Sequence, residues 1–124
     1  MAVLEMTEEM KKAFDEIRQR VESNGDIILM SMEELRNAIG ARKLGIWILK
    51  DIDKQLRARG LLYLPDTLPN YQHEFVMLYR QGSRVETIIR AVHSVSQESV
   101  DTLRDAAESE SSQVLEQIRR LLCS

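Results

Sequence analysis

Apolar side chains recur along this 124-residue chain with a period that changes from segment to segment. Between residues 7 and 23, Met10, Phe14, Ile17 and Val21 stand at i, i+4, i+7 and i+11, one face of an amphipathic helix. Thr7 suits its N-cap, Glu8 and Glu9 suit the positive end of the helix dipole, and Asn24-Gly25 ends it. Ile27-Ile28-Leu29-Met30 is a short unbroken apolar run between Gly25-Asp26 and Ser31, which predicts a buried strand. Ser31 and Glu34 then form a capping box, opening a brief helix that carries Leu35, Ala38 and Ile39 inward before Gly40. A longer helix is predicted from about Arg42 to Arg59, with Ile46, Leu49, Ile52 and Leu56 as its apolar set and Gly60 as its stop. Residues 61–64 and 75–79 read as strands. The intervening Pro65 and residues 66–72 read as a loop, giving a hairpin with a protruding tip.

Beyond the hairpin, Ser83-Arg84-Val85-Glu86 is a second capping box, and no Gly or Pro follows before Leu122. Val85, Ile88, Val92 and Val95 repeat at three/four spacing, and Val100, Leu103, Ala107, Ser111, Val114, Ile118 and Leu121 do so again. The two series fall out of step across residues 94–99, where a kink, break or phase shift is expected. So long a stripe exceeds what a small core can cover. It is expected to drive homodimerisation, as a parallel or antiparallel helix pair or coiled coil, with folding back onto its own domain as the alternative. Cys123 lies at its end, an interchain disulfide on oxidation or a free thiol.

The order of elements is helix, short strand, short helix, turn, longer helix, strand, loop, strand, helix. Over residues 7–82 it resembles a winged helix-turn-helix domain. Leu35, Ile39, Gly40, Ile46 and Leu49 fall at the spacings of that motif's turn, the aliphatics locking two helices and Gly40 allowing the corner. Arg36 departs from the pattern, standing where a small residue is usual. The fold expected is therefore mainly α with a small antiparallel β-sheet: a winged domain over residues 1–82 and a long C-terminal helical segment over residues 83–124. The resemblance implies that the helix from Arg42 is a recognition helix for the DNA major groove.

Charge bears on that expectation. The net charge is −3, with 44% hydrophobic and 30% charged residues, which excludes disorder and indiscriminate coating of nucleic acid. Residues 26–60 nevertheless hold seven Lys/Arg against five Asp/Glu, while residues 85–124 hold four against seven. At 100° per residue from Ile46, Arg57, Lys50, Lys43, Lys54 and Trp47 occupy about 20° to 100°, opposite Ile52, Leu56 and Leu49. Arg42, Lys43, Trp47, Lys50, Lys54 and Arg57 are the DNA-binding candidates, against the plainer reading of a solvated face flanked by Asp51 and Asp53. As the sole tryptophan, Trp47 is more readily a packing residue than a base or sugar contact. Leu44 and Ile48 are expected to be partly exposed or to meet another helix. In the wing, Asn70, Gln72 and Arg80 are candidates, with His73 and Arg84 nearby, and Asp66 works against them.

Catalytic chemistry is not expected. His73, His93 and Cys123 share no metal-ligand spacing, and the five glycines lie at element ends, so no cofactor or metal is called for. With no long apolar run and no secretory leader, the expected compartment is the cytoplasm, at the nucleoid in a bacterium. Two functions compete: a dimeric, sequence-specific DNA-binding regulator, or a winged fold serving as a protein-interaction module through Leu44, Trp47, Ile48 and the C-terminal helix. A coiled-coil adaptor is a third reading.

Overall fold

The computed structural model describes residues 6–122, and the side chains of all of these except 109–116 and 122. The chain forms two compact units that divide between Ser83 and Arg84. The first contains α1 (Glu8–Ser23), β1 (Ile27–Ser31), α2 (Met32–Ala38), α3 (Ile46–Ala58), β2 (Leu61–Leu64) and β3 (Phe75–Arg80); the second contains α4 (Arg84–His93) and α5 (Gln97–Leu122). The chain is mainly helical with one small antiparallel sheet, a winged-helix-like layout. No helix among the described residues is long and apolar enough to cross a membrane.

Capping residues set the helix starts where the sequence places them. Thr7 Oγ1 accepts the Met10 N–H at 3.2 Å, and Ser31 Oγ accepts the Glu34 N–H at 3.2 Å. Phe14, Ile17 and Val21 from α1, Met32 and Leu35 from α2, and Ile52 and Leu56 from α3 are buried together. Gly40 turns the corner after α2 at φ +70°, and a Cβ there would stand 2.8 Å from Met10 Cε. Position 40 thus needs both glycine's positive φ and its missing side chain.

The strand order is β1-β3-β2, both pairs antiparallel, with Met30 opposite Val76 and Tyr63 opposite Leu78. Met30, Val76 and Leu78 are buried beneath the helices, whereas Leu29, Phe75 and Met77 alternate onto the outer face. The hairpin is present, but its loop does not protrude freely. Leu68 enters the core, the Glu33 N–H donates to the Gln72 carbonyl at 3.0 Å, and the Met32 N–H donates to that of Glu74 at 2.9 Å. The loop satisfies N–H groups at the start of α2, which no intrahelical carbonyl can reach.

In the second unit the two apolar series belong to separate helices. Ser96 Oγ accepts the Ser99 N–H at 3.0 Å, an N-cap contact that starts α5 afresh after α4 has ended. Val95 therefore sits in the break and on neither helix face. Val85 and Ile88 are half-buried, while Val92, Val100, Leu103, Ile118 and Leu121 are exposed. The side chain of Val114, and the whole of Cys123, lie outside the described residues.

Candidate nucleic-acid interface

Helix α3 begins at Ile46, four residues later than the pattern of cations and aliphatics predicts. Gly45 is its N-cap, with extended dihedrals of φ −69° and ψ 165°, and provides no side-chain cap. Arg42 and Lys43 consequently stand in the turn before the helix rather than on it. The first turn of α3 contains no acidic residue, so its N–H groups and the two preceding cations bear on the same region.

The buried face of α3 is centred between Ile52 and Leu56, both fully buried, with Leu49, Ile48 and Leu44 packed against the core at its margins. This placement corrects two expectations. Leu44 and Ile48 help to seat the helix instead of facing outward, and Ile46 is displaced from the core, 64% exposed. Trp47 is also no packing residue: it is 58% exposed, and the Lys50 ammonium stands 4.7 Å from the centre of its ring. Lys50, Lys54, Arg42 and Lys43 are all exposed. An outward surface of four cations thus surrounds two exposed apolar side chains, on a helix held from behind by aliphatic packing.

Arg57 lies on the same stripe but is engaged. Its Nε donates to Asp53 Oδ1 at 2.8 Å, its guanidinium lies 5.7 Å from the Tyr63 ring centre, and the Tyr63 hydroxyl donates to the same oxygen at 2.5 Å. Ile46, Leu49, Lys50, Asp53, Arg57, Tyr63, Asp66, Thr67 and Leu68 line a cleft of about 410 Å³ between α3 and the start of the loop. Asp53 and Asp66 make that side less attractive to a polyanion, which leaves Lys50, Lys54 and the turn before α3 as the open cationic surface.

Burial acts to raise the Asp53 carboxyl, but the hydrogen bonds from Tyr63 and Arg57 and the charge of Arg57 outweigh it and hold it below the ordinary 3.8. Burial, and then the bond to Asp53, push the Tyr63 phenol above the ordinary 10.0. The signs define a window. The depressed carboxyl contributes stability above its unfolded value and loses it as pH falls through the folded one; the raised phenol contributes below about pH 10 and loses it as pH rises. In an ultraviolet tyrosinate titration, Tyr63 is expected to ionise above pH 10, and Tyr63→Phe to remove that late component. A wild-type titration without it would contradict the network.

The wing candidates fare differently. Asn70 is exposed at the loop. Gln72 Oε1 accepts a hydrogen bond from Arg36 Nη1, so the arginine that departs from the turn pattern reaches toward the loop and ties it to α2. Arg80 is not in the wing. It ends β3 at the far end of the sheet, opposite Leu61, where its Nε donates to Asp26 Oδ1 at 2.8 Å. Sequence reasoning missed these restraints, although Arg36 in a tight motif and Leu68 within a turn-rich loop were visible signals that each needed a place. No family model, curated protein or solved structure matches this chain.

Proposed function

We propose that this protein is a dimeric, sequence-specific DNA-binding protein of winged-helix layout, acting as a transcriptional regulator in the cytoplasm, at the nucleoid in a bacterium. The observation that carries the reading is the outward face of α3: Lys50 and Lys54 exposed beside Trp47, with Arg42 and Lys43 at the helix start and Ile52 and Leu56 buried behind. Lysine and arginine contacts to phosphates supply affinity and fix register, while groups near the start of the helix address base edges. Trp47 and Ile46 offer apolar surface there, which suits thymine methyl groups. Of the wing candidates, Asn70 is retained and Gln72 and Arg80 are not. Arg57 serves α3 through Asp53 and Tyr63 rather than as a phosphate contact.

The test is a gel shift on fragments of the source genome, with affinity followed over a range of salt. Four phosphate contacts per domain predict a log–log salt slope of about −3 to −4 for each bound domain. Absence of a shift at low salt would overturn the reading. The rival function, a protein-interaction module, is favoured by one observation, the exposure of Ile46 and Trp47 beside a loop that is folded inward. It predicts no DNA binding at any salt concentration and a partner that buries both side chains.

A further inference from the structure

Helix α5 has a layout that specifies how two copies would pair. At 100° per residue, Val100, Leu103, Ala107, Val114, Ile118 and Leu121 fall within an arc of about 60°. Helix α4 uses a different face: Ser99 and Thr102 of α5 line a cleft with Thr87, Arg90 and Ala91 of α4, about 100° round the helix from the apolar row. The row stays open, with Val100 44%, Leu103 36%, Ile118 47% and Leu121 78% exposed.

The spacings along the row are three, four, seven, four and three, so it reads the same from either end. We propose that α5 pairs with α5 of a second copy in antiparallel orientation, Val100 against Leu121, Leu103 against Ile118 and Ala107 against Val114. This rests on the dimeric part of the reading above and adds orientation and register to it. The four-residue step from Leu103 to Ala107, followed by another to Ser111, shifts the heptad phase at the middle of the helix. With that shift, each matched pair joins an a-type position of one helix to a d-type position of the other. A parallel pair would instead stack Ala107 on Ala107 and leave a thin layer, whereas the antiparallel register sets small against larger side chains.

Charge selects the same orientation. Residues 98–110 hold five acids and one arginine, whereas residues 111–122 hold one acid and two arginines. A parallel pair lays the acidic half along itself; an antiparallel pair lays it against the weakly basic half and opposes the helix dipoles favourably. In this register the two Val100 positions are about 32 Å apart at ~1.5 Å per residue, close to one turn of B-DNA.

The experiment uses the full chain with Cys123→Ser, carrying either Val100→Cys or Leu121→Cys. The two variants are mixed, equilibrated in glutathione redox buffer and resolved by mass without reduction. Both replaced side chains are exposed, so folding should be retained. The expected result is a 100–121 disulfide at least tenfold in excess of either homodisulfide. A dominant 100–100 or 121–121 species would overturn the antiparallel register while leaving the dimer and DNA binding standing. A monomeric mass in sedimentation would overturn the dimer itself, and gel shifts on the same reduced variants report DNA binding separately.

Discussion

Lys50→Glu combined with Lys54→Glu is expected to abolish specific DNA binding and leave the fold unchanged. Both side chains are exposed on α3, and neither forms an ion pair among those found between described residues. Neutralising them to alanine removes two phosphate contacts, so the salt slope should fall by about two units. Reversing them adds repulsion from the phosphates. At about 1–3 kcal/mol per lost contact, the combined loss should be on the order of 100-fold or more. The Lys50–Trp47 contact goes too, but an exposed cation–π pair is worth only about 0.5–1 kcal/mol and does not hold the helix in place. Circular dichroism and the thermal midpoint should therefore match wild type. Unchanged affinity in a well-folded double variant would remove α3 from the DNA interface.

That expectation uses a part of the site that was readable from sequence, and the reasons it was readable are local. The start of α1 follows from Thr7 and its acids, β1 from a four-residue apolar run between turn formers, and the cationic stripe from helical periodicity alone. What escaped depends on partners distant in sequence. Arg42, Lys43 and Leu44 fit the helical pattern as well as the residues after them, and only Gly45 marks the true boundary. The face of α3 is set by Ile52 and Leu56 meeting α1 and the sheet, and that geometry turns Ile46 outward. Arg80 finds Asp26 54 residues away, a pairing without a local signal. Leu68 stands between turn-forming residues with no period of its own, so the inward fold of the loop is a tertiary outcome.

Leu56→Ala addresses the opposite side of the same helix and should give the opposite phenotype. Leu56 is fully buried within the cluster that includes Phe14, Ile17, Ile52 and Leu61. Its truncation removes transfer free energy and leaves a cavity lined by side chains that cannot all collapse into it, a cost of about 2–5 kcal/mol. Domains of this kind have about 5–15 kcal/mol in total, so a large share of the stability is lost. Urea unfolding should show a midpoint lowered in proportion, with an unchanged slope if the unfolded state is the same. The folded fraction retains the lysine face, so DNA affinity corrected for that fraction should stay within about twofold of wild type at low temperature. Charge reversal would thus remove binding without loss of stability, and the cavity would remove stability without altering the contact surface. A stability change below about 1 kcal/mol in Leu56→Ala, smaller than cavity formation in a packed core allows, would show that this aliphatic row does not seat the helix.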